Sequence, residues 1–250
     1  MHSLHEFVER YPRLFVLSGA GISTESGIPC YRDREGQRTG RASILLKDFL
    51  GSDHARRRYW ARSLIGWPVV AGAEPNAAHH AVRALAARSR VHRLVTQNVD
   101  GLHTRAAVQR MLEAMNPDFV GHAAPDLPDG DANIEHLDFD AFDVPGCTRC
   151  GGVLKPDVVF FGESVPRELV QDAARSLDAA DAMLVLGSSL MVYSGYRFCE
   201  WAAKSGKPIA AVNIGKTRAD ALLALKVEAR CSDVLGELIE QLDARPAVAG

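Results

Sequence analysis

A chain of 250 residues is long enough to bury a substantial core, and 47% hydrophobic with 24% charged residues is an ordinary soluble balance. A formal net charge of −2 offers no basic surface for a polyanion, which disfavours a nucleic-acid partner. The opening MHSLHEFVERYPRLFVL has neither the basic head nor the unbroken apolar stretch of a secretory signal, and no later run reaches membrane-spanning length, so a cytoplasmic protein without a membrane partner is expected.

In chain order, RLFVL (13–17) reads as the first buried strand. It runs into SGAGISTESGIP, where Gly19 and Gly21 allow the backbone to approach a phosphate and a helix start would supply free N–H groups. Residues 34–74 then break the pattern, with REGQRTGRAS followed by an arginine-dense helix, DHARRRYWARSL, whose arginines read as a solvated face. A helix begins at Asn76 after Pro75, with His79 as a satisfied structural histidine, and RLVT (93–96) forms the next strand. Residues 116–152, rich in Pro, Asp and Gly and ending in PGCTRCGG, read as a loop-rich insertion. Beyond it come a strand DVVFF, a helix from Pro166, strands AMLVLG and PIAAVN, a helical pattern in RADALLALKV and a last helix from Ser232. Strands apolar at nearly every position, alternating with helices, predict an α/β fold with a Rossmann-like, doubly wound parallel sheet.

Ligands of such sheets bind beyond the carboxyl ends of the strands. Four of those ends carry small or amide side chains: the glycine loop, Thr96-Gln97-Asn98-Val99-Asp100, Gly187-Ser188-Ser189 and Asn213-Ile214-Gly215. Together they suit ribose hydroxyls and phosphates and predict a nucleotide cleft, with a ligand-free tight turn as the alternative for the glycine loop alone. A conventional hydride-transfer enzyme is disfavoured, because Thr24 stands where the third fingerprint glycine belongs and no acidic residue is well placed for a ribose.

The segments GAGISTESGIP, PNAAH, TQNVDGLH, CTRCGG, KPDVVFFGE, GSSL and VNIG occur in the order and spacing of the sirtuins, which the chain resembles along nearly all its length. That resemblance implies NAD-dependent protein deacylation. It implies a Rossmann-like domain of residues 1–33, 75–101 and 156–250, a cofactor loop and helical insertion over 34–74, and a small zinc-type subdomain over 102–155, with NAD and an acyl-lysine protein or peptide meeting between the domains. By the same likeness Gly19, Ala20, Gly21 and Ser23 follow the pyrophosphate and ribose, Ile28 sits by nicotinamide, and Arg32 orders the cofactor loop. Gln97, Asn98 and Asp100 line the ribose and nicotinamide pocket, Asn98 and Asp100 being the catalytic assignments. Gly187, Ser188 and Ser189 face phosphate or the adenosine ribose, Asn213 and Gly215 the adenosine side, and Cys231 the adenine. Val158, Val159, Phe160, Phe161, Gly162 and Glu163 resemble the strand along which the acyl-lysine peptide lies.

The chain departs from the family after TQNVDGLH. Sirtuins continue to a strand ending in Leu-His-Gly, whose histidine is the general base, and then to a first CxxC pair; here GLHTRA leads directly into AVQRMLEAMNPDF. Two readings stay open: a fuller form of the protein carries that stretch, or the chain lacks it and is a catalytically inactive NAD or ADP-ribose binder serving as a sensor or binding module. Cys147 and Cys150 are accordingly half of a structural zinc site, with a redox pair or a plain turn as alternatives. None of His79, His103, His122 or His136 is assigned as a replacement base. Cys30, where the family usually has an acidic residue, reads as a small residue beside the pocket.

Overall fold

The computed structural model describes residues 3–39, 43–99, 112–122, 126–127, 131–132, 134, 137–147 and 150–244. Asp100, His103 and His136 lie outside the described residues. Along the chain the elements are α1 (Leu4–Arg10), β1 (Leu14–Ser18), α2 (Leu46–Gly51), α3 (Asp53–Ala71), α4 (Ala77–Ala87), β2 (Val91–Thr96), β3 (Asp126–Leu127), β4 (Asp131–Ala132), α5 (Arg167–Ala179), β5 (Ala182–Leu186), α6 (Tyr193–Lys204), β6 (Ile209–Val212), β7 (Leu225–Val227) and α7 (Cys231–Ala244). They divide into two compact units, Met1–Thr39 with Glu74–Asn98 and Pro166–Gly250, and Gly40–Ala73 with Val99–Val165.

In the first unit the five strands run parallel in the order β2-β1-β5-β6-β7. Every residue of β1, β5 and β6 is buried, as expected where helices cover both faces. Side chains alternate across the sheet. Leu14, Val16, Leu184, Ala210 and Val212 pack with Phe7 of α1, Val82 and Leu85 of α4 and Leu235 of α7. Phe15, Leu17, Met183, Val185 and Ile209 pack with Leu177 of α5 and with Phe198 and Cys199 of α6. Strand order reverses at β1, whose chain leaves toward β2 and whose other neighbour is β5, so a topological switch point opens at the carboxyl ends of β1 and β5.

Several expectations are corrected. RADALLALKV is not a helix: a 3-10 turn, Asp220–Leu222, precedes strand β7. Leu225 and Val227 turn into the core while Lys226 reaches Asp220 at 2.9 Å, a two-residue alternation that the short apolar run concealed. The last helix begins at Cys231, one residue before the expected Ser232. Two 3-10 turns, Ala20–Ile22 and Thr24–Ser26, follow β1 in place of a helix, and Gly27 at φ +85° closes the second.

The second unit has its own apolar core, in which Phe49, Trp60, Leu112, Ile134, Phe142 and Phe160 are buried together. Val158 to Phe161 form no sheet strand among the described residues; Phe161 makes one parallel bridge with Leu45, and Phe160 is buried against Phe49 and Tyr59. Residues 156–165 thus belong to this unit, and residues 34–39 to the first. The arginines of α3 are not a solvated face either. Arg56 donates to the carbonyls of Phe49 and Leu50 at 2.9 and 2.8 Å, satisfying the end of α2, while Arg57 reaches the Asp140 carbonyl and Arg62 is buried. Asn116 ties the loop-rich segment together, donating to the Leu112 and Asp143 carbonyls and accepting from the Asp143 N–H at 2.7 Å. Among the described residues, no helix is long and apolar enough to cross a membrane.

At the switch point the backbones of two loops touch. Gly187 has φ +58°, and a Cβ there would stand 2.3 Å from the Ile22 amide nitrogen. Gly187→Ala is therefore expected to destabilise the protein by about 2–4 kcal/mol, combining left-handed strain with overpacking. Gly27→Ala, with φ +85° and nothing within 4 Å, should cost only about 1–2 kcal/mol for the strain. Urea denaturation of the two variants checks the difference.

Candidate functional site

The functional side chains of the first unit converge because their strands end side by side. From the tip of β1, the Gly19 N–H donates to the Leu186 carbonyl at 3.0 Å and the Gly21 N–H to the Gly187 carbonyl at 2.8 Å. A Cβ on Gly19 would meet Ser188 at 2.8 Å, and one on Gly21 the Gly187 carbonyl oxygen at 2.8 Å. The glycines are thus required first by loop-to-loop packing, a demand that spacing alone does not separate from close approach of a phosphate.

Side chains then couple the loops in pairs. Gln97 leaves β2 with its N–H on the Ser18 carbonyl at 2.9 Å, and its amide oxygen accepts from the Ser188 hydroxyl at 2.7 Å. The Asn98 amide donates to the Ser23 hydroxyl at 3.2 Å. Ser23 and Ser188 are buried, whereas Gln97, Asn98 and Ser189 stay partly accessible. The N–H groups of Ala20, Ser188 and Ser189 meet no acceptor among the described residues. Amides without an acceptor at adjacent strand tips, beside two carboxamides, suit phosphate oxygens and ribose hydroxyls.

The remaining predicted residues extend this set. Ile28 is buried, with its N–H on the Ser23 carbonyl at 3.3 Å. Arg32 donates to the Gly36 carbonyl at 2.9 Å and pairs with Arg38, so the segment after Cys30 folds as a small hairpin. Asn213 is buried and donates to the Ile214 carbonyl at 2.9 Å, while Gly215, at φ +81°, packs against the backbone of Arg34. Downstream, burial raises the Asp220 carboxyl, but hydrogen bonds from Thr217 and Lys226 outweigh it and hold that group below the ordinary carboxylate range. Cys231 opens α7 with its sulfur 3.5 Å from the Val212 carbonyl. Burial pushes its thiol up to about 12, and burial does the same to Cys199, also to about 12. Neither is a nucleophile near neutral pH.

Three contacts, made by two residues, were not foreseen in the sequence. The Asn76 amide reaches across to the Ile22 carbonyl at 2.8 Å, and Glu25 takes a hydrogen bond from Ser232 and lies 3.6 Å from Arg230. Their only local signals were a helix cap and an acidic turn residue.

In the second unit Cys147 and Cys150 sit on a turn closed by the Gly151 N–H on the Cys147 carbonyl at 2.7 Å and the Cys147 N–H on the Gly152 carbonyl at 2.8 Å. The other three cysteines of the sequence, at 30, 199 and 231, belong to the first unit. Among the described residues no group of three His, Cys, Asp or Glu could hold a metal. Cys147 and Cys150 supply two of the four ligands that a structural zinc site takes. Val159 is exposed, and Glu163 accepts from the Phe160 N–H at 2.8 Å and pairs with Lys155 at 3.2 Å.

Fold and strand-tip chemistry define an α/β protein of the doubly wound, nucleotide-binding class. The sequence model of the Sir2 family matches residues 19–194, and the chain belongs to that family. It is 51% identical over 268 residues to an NAD-dependent protein deacetylase of Xanthomonas campestris pv. campestris (strain 8004), covering 96% of this chain and 92% of that one. It is 50% identical over 266 residues to an NAD-dependent protein deacetylase of Bordetella bronchiseptica, covering 96% and 97%. Since 96% of 250 residues is about 240, about 28 of the 268 aligned positions in the Xanthomonas comparison hold no residue of this chain. Among solved structures it is similar to a Sir2 enzyme from work on mechanism and regulation, at 27% identity and TM-score 0.70 over 96% of each chain. A Sir2 structure with a p53 peptide and NAD+ aligns at 25% identity and TM-score 0.71, covering 96% and 97%.

The burial of the two raised thiols predicts their chemistry. Near neutral pH, iodoacetamide is expected to label Cys150, which is exposed, while Cys199 and Cys231 stay unmodified until the chain is unfolded. Peptide mapping by mass spectrometry reads the order.

Proposed function

We propose that this chain binds NAD across the tips of β1, β2, β5 and β6 and that its fold serves NAD-dependent deacylation of lysine in proteins, releasing nicotinamide and O-acyl-ADP-ribose. The carrying observation is the coupled set Ser23–Asn98 and Gln97–Ser188 around unfilled amides at the switch point of a Sir2-family chain. When bound, NAD supplies a labile glycosidic bond and the ADP-ribose that receives the acyl group. The chain's part is to hold and orient. Ala20, Ser188 and Ser189 offer amides to phosphate, Gly19, Gly21 and Gly187 let those loops close together, and Ser23, Ile28, Gln97 and Asn98 bound the nicotinamide ribose. Arg32 fastens the neighbouring hairpin, and Asn213, Gly215 and Cys231 border the adenosine. Val159, exposed within Val158–Glu163, marks the segment that would pair with an extended acyl-lysine peptide, a mode that gives affinity with little sequence selectivity. Cys147 and Cys150, on one turn of the second unit, are in this proposal half of a structural zinc site. A cytoplasmic location and the lack of nucleic-acid or membrane partners remain part of the same proposal.

A second reading is favoured by one observation. The sequence contains no Leu-His-Gly, and about 28 aligned positions of the Xanthomonas relative have no counterpart here. A chain without that general base would bind NAD or ADP-ribose as a sensor or module. Incubation with NAD and an acetyl-lysine peptide separates the two. Turnover of this 250-residue chain is expected about two to four orders of magnitude below that of the Xanthomonas relative, the usual contribution of a positioned general base. Mass spectrometry of nicotinamide and O-acetyl-ADP-ribose gives the rate; equal turnover in the two proteins would remove the second reading, and no saturable NAD binding would remove both.

A further inference from the structure

Asn76 opens α4 as its N-cap, its side-chain oxygen accepting from the Ala78 and His79 N–H groups at 2.9 and 3.4 Å. His79 completes a capping box, its Nδ1 accepting from the Asn76 N–H at 3.3 Å. A cap needs only the oxygen of the asparagine. Its nitrogen is used elsewhere: Nδ2 donates to the Ile22 carbonyl at 2.8 Å and to the Ser26 hydroxyl at 3.1 Å, residues 54 and 50 positions earlier in the chain. Ile22 ends the first 3-10 turn after β1 and Ser26 ends the second, and between them lies Ser23, which accepts the Asn98 amide. One carboxamide therefore pins both turns of the glycine loop to the first turn of a rigid helix.

We infer that Asn76 is a positioning residue for the dinucleotide, setting the loop from Gly19 to Gly27 so that its amides and Ser23 face the ligand in a fixed array. The inference rests on the NAD-binding reading above. Its physical basis is that the two 3-10 turns close on themselves, through bonds such as the Ser23 N–H to the Ala20 carbonyl and the Gly27 N–H to the Thr24 carbonyl, but those local bonds do not fix the turns relative to the helix, which the Asn76 donor does. Asparagine is the residue that can do both jobs, because serine, threonine and aspartate cap helices equally well but carry no amide donor.

Asn76→Asp separates the two roles. The carboxylate keeps the cap and suits the helix N-terminus, while both donations to the loop are lost. The variant is expected to bind NAD about tenfold to a hundredfold more weakly by calorimetry. In the absence of NAD, hydrogen exchange at the Ser23, Ser26 and Gly27 amides should rise about tenfold while amides in the body of α4 keep their protection. Ser26→Ala, which leaves the cap untouched, should produce the same exchange pattern more weakly and serves if Asn76→Asp fails to fold. Should the wild type bind NAD and both variants bind it equally, with unchanged exchange in the turns, the positioning role is overturned and NAD binding stands. If loss of affinity tracks loss of α4 protection instead, Asn76 is only a helix cap. A wild type that binds no NAD overturns the NAD-binding reading itself, and with it this inference.

Discussion

The first unit depends on two loops meeting backbone to backbone where the sheet reverses its order. Gly19 and Gly21 from the β1 loop lie against Gly187 and Ser188 from the β5 loop, joined by the Gly21 N–H to the Gly187 carbonyl at 2.8 Å. No side chain fits between them. Such closeness brings amides from adjacent strand tips into one small region at the switch point, where neighbouring crossovers leave for opposite faces.

Everything polar around that contact serves to fix it. Gln97 holds Ser188, Asn98 holds Ser23, and Asn76 holds the two turns, so each loop is tied to another strand or helix as well as to itself. Partly buried hydrogen bonds between elements far apart in sequence cost about 1–3 kcal/mol each when one partner is left unsatisfied, which favours a single arrangement of the set. The second unit solves its own problem differently. A core of aromatic and aliphatic residues and the clamp of Asn116 organise it.

Chain order, fold class and most strand-tip residues were legible in the sequence. β1, β5 and β6 are apolar at nearly every position, and such runs have few alternatives to burial in a parallel sheet. Asn76 and Pro166 were legible as helix starts because capping is a local affair of one side chain or one fixed φ. Where the reading failed, the deciding partner was distant. β7 looked helical because its three residues become a strand only beside β6. DVVFF looked like a strand because Phe160 and Val158 pack into the core of the second unit, a burial that periodicity cannot distinguish from a ladder. The arginines of α3 looked solvated because their acceptors, the carbonyls ending α2 and the Asp140 carbonyl, belong to other segments.

By itself the sequence determined the doubly wound scaffold, the polar residues at its strand tips and the presence of only two cysteines in the second unit, since each follows from composition or from local backbone preference. Only the tertiary structure decided that the glycines serve loop contact as well as any ligand, and that Asn76 divides its carboxamide between a helix and a loop 50 residues away. Both are matters of which groups meet across the fold, and a hydrogen-bond donor carries no mark in the sequence of the acceptor it will find.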